Sequence, residues 1–260
     1  MILRRLAQQL REQNWAAIFI EFVLLVLGVF LGIQVANWNA SLAEERIGRA
    51  YAARLHADLE QDLTSLRELV TYYGAVLDSV VRTDVLLADP QSDAMDLVVS
   101  AYRASEINFN PMARATWDEV VSSGDIGLLP PRVAREAAEH YAFDTSRDTY
   151  EILIRSAYRN RVRKVIPLGV QQAMRAGCSD HRDDAQKITG FMPGCSLDLA
   201  PETIAATAAA LRADPAVQAN LRYQYSDVFS AHANIRGDVA STEQALAALD
   251  AQPALPENTP

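Results

Sequence analysis

The chain has few of the residues from which catalytic and metal centres are built. It has four histidines and two cysteines, no Gly-rich phosphate loop and no zinc- or calcium-ligand spacing. No Glu-x-x-His pair occurs, which disfavours the di-iron carboxylate bundles. Basic charge is in deficit. Lys and Arg total 24 against 33 Asp and Glu, for a net charge of -9. A nucleic-acid surface needs a clustered basic patch, so that partner class is disfavoured. Low-complexity segments and short repeats are lacking. No stretch alternates with period two for long enough to read as a strand.

What is present is a long apolar run. Residues 16–36 read AAIFIEFVLLVLGVFLGIQVA. At about 1.5 Å per residue such a run spans a hydrocarbon core of roughly 30 Å. A cleaved signal peptide, with Ser41-Leu42-Ala43 as its cleavage site, is the alternative. Secretory h-regions are shorter, and Glu21 would sit inside this one, so a retained anchor is expected. Membrane lipid is then one partner. Arg4, Arg5 and Arg11 precede the run; Arg46, Arg49 and Arg54 follow it beside Glu44 and Glu45. The positive-inside count leans slightly toward a cytoplasmic N-terminus.

Cys178 and Cys195 flank a polar, Gly-rich stretch. An even cysteine count at loop spacing suits an oxidising compartment. A bridge there stabilises by about 3 kcal/mol in the chain-entropy model. Two unrelated buried thiols are the alternative. The expected localisation is therefore a bacterial inner membrane, with a periplasmic C-terminal domain.

Within the run, Glu21, Gly28 and Gly32 recur at helical spacing and suit a close helix–helix contact. Gln34 is added to that membrane-helix interface. Trp15, Asn37, Trp38 and Asn39 are expected as interfacial anchors. A headgroup position for Glu21 and the amides is the competing reading.

No proline lies between the run and Pro90. Residues 40–88 are rich in good helix formers. Leu59, Leu63, Leu66, Val70, Tyr73, Leu77 and Val80 alternate spacings of four and three, a heptad seam. A C-terminal helix from Asp214-Pro215 carries a second seam: Leu221, Tyr225, Val228, His232, Ile235, Val239, Thr242, Leu246 and Leu249. A third long helix is expected over 131–166, and shorter ones at 92–104, 111–123, 168–176 and 201–213. The fold class is all-α: a single transmembrane helix continuing into a long helix of an extracytoplasmic antiparallel bundle. The divisions are a cytoplasmic segment (1–14), the membrane helix (15–39), the periplasmic bundle (40–250) and a disordered tail (251–260).

Glu21, Gly28 and the run Gly32-Ile33-Gln34-Val35-Ala36-Asn37-Trp38-Asn39 resemble a family of uncharacterised bacterial single-pass membrane proteins. There an acidic residue opens the span and Gln-x-x-Asn-Trp-Asn closes it. Thr116-Trp117 followed by Ser122-Ser123-Gly124 resembles that family's central pattern. The resemblance covers the first half of the chain. It implies bacterial origin and membrane residence, and brings no activity.

Other clusters have modest readings. Ser122-Ser123-Gly124-Asp125 reads as a helix end and turn. His181 with Asp180, Asp183 and Asp184 could ligate a metal, but a solvated loop inside the disulfide is favoured. His232 is expected as a hydrogen-bonded core histidine. Arg155, Arg159 and Arg163 form a patch that could meet an anionic partner, against the alternative of a solvated face. No catalytic residue and no cofactor is expected. The leading function is a scaffold or accessory subunit that forms a homo-oligomer or binds an envelope protein partner. A ligand-sensing module with a separate signalling partner is second, and an envelope enzyme third.

Overall fold

The computed structural model describes residues 15–251 except 179 and 185–187, and side chains from residue 19 onward. The expected N-terminal segment, the Trp15 anchor and the tail beyond residue 251 lie outside the described residues. Helix α1, Trp15–Ala88, is followed by α2 (Ala94–Arg103), α3 (Ala115–Ser123), α4 (Pro131–Tyr141), α5 (Thr145–Ile154), α6 (Ala157–Val165) and α7 (Leu168–Gly177). A hairpin, β1 (Asp180–Arg182) and β2 (Ile188–Phe191), precedes α8 (Pro201–Ala213) and α9 (Pro215–Asp250). The chain is all-α apart from that hairpin. It divides into two compact units, Met1–Tyr51 and Ala52–Pro260.

In the first unit, one helix is long and apolar enough to cross a membrane, and its apolar window is unburied by the chain itself. Glu21, Gly28, Gly32, Gln34, Asn37, Trp38 and Asn39 are all exposed. A Cβ built on Gly28 or Gly32 meets nothing within 4 Å. Helical geometry puts Gly28 and Gly32 each within about 20° of Glu21, but turns Gln34 roughly 140° from it. Gln34 therefore does not share the face that the sequence assigned to it.

In the second unit, α9 runs antiparallel to α1. His56 meets Asp250 at 3.0 Å and Arg67 meets Glu243 at 2.8 Å. The buried row on α1 is Leu55, Leu59, Asp62, Leu66, Leu69, Tyr73, Val76, Val80 and Thr83. That is the expected four–three rhythm, with every second member shifted by one residue. Leu63, Val70 and Leu77 are only half-buried. The same shift occurs on α9, where Leu221, Gln224, Val228, Ala231, Ile235, Thr242 and Ala245 are buried. Tyr225 turns to the surface, and His232 is half-buried rather than in the core.

The expected long helix over 131–166 is three helices. Asp144 caps α5 through the Arg147 amide, and the Ser156 hydroxyl caps α6 through the Arg159 amide. Each cap satisfies amides that a continuous helix would have used internally, so the chain can turn there. Gly124 ends α3 with φ 80°, the left-handed value expected of the Ser-Ser-Gly turn. Pro131, Pro201 and Pro215 each open a helix.

The hairpin has no counterpart in the sequence pattern. Its strands hold three and four residues, too few for an alternation signal. Cys178 and Cys195 form a disulfide at its base, with Cα atoms 4.9 Å apart. Phe191 anchors it on Tyr72, ring centroids 5.1 Å apart.

Candidate functional site

The segment 104–114 is irregular, yet much of it is buried. Buried backbone needs partners, and side chains from five helices supply them. Tyr73 of α1 donates to the Asn108 carbonyl at 2.7 Å. Tyr141 of α4 donates to Ala113 O at 3.1 Å, and Ser146 of α5 to Asn110 O at 3.1 Å. Gln224 of α9 donates to Ala104 O at 2.9 Å, while Arg159 of α6 reaches Ser105 O.

Asp62 belongs to the same system. One carboxylate oxygen accepts the Ala113 amide at 2.7 Å, and the other meets His140 Nε2 at 3.0 Å. His140 Nδ1 faces Thr242 Oγ1 at 3.1 Å. Thr242 has one hydroxyl proton, and its oxygen lies 2.7 Å from the Asp238 carbonyl. With that proton donated to the carbonyl, the hydroxyl is left to accept from Nδ1, a role assigned from the network. The side chains of His140 and Asp62 are 2% and 3% exposed.

Tyr141 closes the network. Its ring stacks on Trp117 with centroids 5.7 Å apart and stands edge-on to His140 at 4.6 Å. Burial, then the Asp62 carboxylate, pushes its phenol well above the usual value. Beside the network lies a cavity of about 20 Å³, lined by Asp62, Ser65, Asn110, His140, Ser146 and Asp238. That is room for about one water. Asp238 is raised above its ordinary carboxyl value, chiefly by burial.

The order Asp–His–Thr is that of a general-base relay, in which a hydroxyl gives its proton to the imidazole. Here the Thr242 proton goes into its own helix, and Thr242 is fully buried. Nucleophilic chemistry needs a substrate within reach of that oxygen, and none of the Thr242 surface is exposed. The arrangement binds α1, α4, α9 and the irregular segment together. No local pattern marks His140 for this role, because its partners lie 78 and 102 residues away.

A second cluster is cationic. Arg103 ends α2, Arg159 and Arg163 lie on α6, and Arg175 lies on α7. Arg163 pairs with Glu106 at 3.0 Å, and its guanidinium lies 3.5 Å from the Tyr102 ring centroid. Arg103 donates to Met192 O at 2.7 Å, with its guanidinium 5.0 Å from the Phe191 ring. Burial lowers both Arg103 and Arg159 from the ordinary guanidinium value. Arg155 does not join them. It is the exposed C-cap of α5, so the shared face expected for Arg155 and Arg159 is broken by the helix boundary.

The other expected positions are placed as follows. His181 bonds Thr189 Oγ1 across the hairpin at 2.8 Å. Among the described residues, no three His, Cys, Asp or Glu side chains converge as a metal site would require. Ser122 and Ser123 hydroxyls donate back to Glu119 O and Val120 O, closing the end of α3. Between α1 and α9 an open groove of about 400 Å³ is lined by Val81, Val85, Leu221 and Tyr225, with Asp84, Gln218 and Arg222 among them. No known family model, curated protein or solved structure matches the chain.

Proposed function

We propose that this chain is a non-catalytic bacterial inner-membrane protein, anchored once, whose helical unit stands in the periplasm as a scaffold or accessory subunit for another envelope protein. The membrane helix associates with a second copy through Glu21, Gly28 and Gly32. The resemblance of the anchor to bacterial single-pass proteins supports the compartment, as does the disulfide.

The observation that carries the reading is the groove between α1 and α9. Val81 and Val85 are 50% and 58% exposed, and Tyr225 and Phe229 face solvent at 44% and 52%. Tyr225 and Phe229 stack with centroids 5.9 Å apart. Apolar side chains grouped on a surface mark protein contacts. Their i, i+4 spacing on two antiparallel helices suits an apolar helix laid between them.

The test places a photo-crosslinking residue at Val81 in cells that carry the chain at its native level. The expected result is a discrete adduct with an envelope protein, lost together with cellular function in Tyr225→Glu while membrane level and thermal midpoint hold. Absence of an adduct, with full function in Tyr225→Glu, overturns the reading. Gly28→Ile, read by self-association in a neutral detergent, tests the membrane contact separately.

A further inference from the structure

Several arginines of the second unit pair with carboxylates. Arg54 pairs with Glu119, Arg67 with Glu243, Arg82 with Asp96, Arg114 with Asp118, Arg147 with Asp144 and Arg161 with Asp214. In a chain with 33 acidic residues against 24 basic ones, carboxylates are plentiful. The cluster of Arg103, Arg159, Arg163 and Arg175 differs from them in combining few carboxylates with partial burial. Among the described residues, only Arg163 has a carboxylate at ion-pair distance, Glu106 at 3.0 Å.

The deficit falls where it is least tolerable. Arg103 and Arg159 are partly buried, and desolvation is the leading influence on both. The Arg103 Nε is buried and meets no acceptor among the described residues. A second carboxylate, Asp180, lies near the cluster, where Tyr72 donates to it at 3.4 Å. Burial and the neighbouring Glu106 raise Asp180 above its ordinary value, which weakens it as a counter-charge. Desolvated charge without a close counter-charge is costly. A fold keeps such an arrangement at a cost that an external anion would offset.

We propose that Arg103, Arg159, Arg163 and Arg175 form a binding site for a small oxyanion, a phosphate group above all. Planar guanidinium forks meet tetrahedral oxyanions through paired, charge-assisted hydrogen bonds. Arg159 and Arg163 are held by Ser105, through its carbonyl and its hydroxyl at 3.0 Å. Tyr102 underlies Arg163, and Phe191 supports Arg103. These contacts orient the guanidiniums before a ligand arrives, which lowers the entropy lost on binding. Arg175 is exposed and gives access from solvent. The site draws on α2, α6, α7 and the disulfide hairpin, and does not depend on the scaffold reading.

The same chemistry can come from free phosphate or from a phospholipid headgroup, so the test has two arms. Full-length chain in a neutral detergent is titrated calorimetrically with inorganic phosphate, and separately with a water-soluble short-chain phosphatidylglycerol. Ionic strength is fixed with chloride. Saturable binding to at least one probe is expected, weakened about tenfold or more in Arg175→Gln and in Arg103→Gln. Arg155→Gln, outside the cluster, should bind as the parent does. Arg175→Gln changes an exposed side chain and keeps the test valid if Arg103→Gln folds poorly. Preference for the lipid probe assigns a headgroup, and equal or better binding of phosphate assigns the free ion. Binding of neither probe at millimolar concentration, or unchanged binding in Arg175→Gln, overturns the site.

Discussion

Replacing His140 by alanine leaves the Asp62 carboxylate inside the bundle with the Ala113 amide as its one hydrogen-bond partner among the described residues. The parent pair is closed at 3.0 Å, and neither side chain is more than 3% exposed. Removing one member of a buried pair typically costs about 3–5 kcal/mol, because the other charge stays desolvated. For a unit of roughly 200 residues each kcal/mol moves the thermal midpoint about 2–4 °C, so a fall of about 6–20 °C is expected. The assay is thermal unfolding of the full chain in detergent, followed by helical circular dichroism.

Two further variants make the reasoning specific. Asp62→Ala should cost at least as much as His140→Ala, since it also strands the Ala113 amide. The double variant Asp62→Leu/His140→Phe removes both partners and keeps apolar volume, so its cost should fall below the sum of the single costs by about 2 kcal/mol or more. A midpoint fall under about 2 °C for His140→Ala, or additive costs in the cycle, would show that the pair is not the buried pair described here.

Other outcomes follow from the same contacts. The folded state holds Asp238 above its ordinary value of 3.8, so its proton favours folding below that value and this contribution is lost as pH rises through the higher folded value. Asp238→Asn should therefore raise the midpoint at neutral pH, with the difference from the parent vanishing in acid near 3.8. Reduction of Cys178–Cys195 opens a loop with a sequence separation of 17, and should lower stability by about 3 kcal/mol. Mass analysis of unreduced protein should show the two cysteines linked, and free thiols in protein from its own host would contradict the bridge. Gln224→Leu makes the α9 row more apolar yet should destabilise by about 1–3 kcal/mol, because Ala104 O and the Ser156 hydroxyl lose their partner. A stabilised Gln224→Leu would show that apolarity alone sets the register of α9.

Much of the helical plan was legible in the sequence, because its signals are local. Pro90 follows the end of α1, Gly124 ends α3, and Pro201 and Pro215 open α8 and α9. The α1 stop at Ala88 and the α9 start at Pro215 fall where proline chemistry puts them. What was not legible depends on distant residues. The breaks at Asp144 and Ser156 look from the sequence like ordinary polar positions in a helix. They become caps because α5 and α6 must each turn a different face, Leu153 and Tyr158, into the core. The cationic cluster likewise combines residues from 103 to 175, and spacing along α6 alone brought in the wrong neighbour, Arg155.

The one-residue shift in both seams has a single physical cause. A reading by apolarity chooses Leu63 over Asp62 and Tyr225 over Gln224, since each is the better hydrophobe. One residue is about 100° of helix rotation, so the choice decides which face is buried. Rotating α1 to bury Leu63, Val70 and Leu77 would carry Asp62 away from His140 and the Ala113 amide. Rotating α9 to bury Tyr225 would remove Gln224 from Ala104 O and from Ser156, whose hydroxyl donates to it at 2.5 Å. Each lost partner leaves a buried polar group unsatisfied, at about 1–3 kcal/mol apiece and more where charge is involved. The apolar gain is smaller, because Leu63, Val70 and Leu77 are already half-buried in the observed register. Polar satisfaction therefore outweighs apolarity in choosing the buried face. The face left outside on α9 is the one that carries Tyr225 and Phe229, so the same polar contacts that lock the bundle also present its apolar groove to solvent.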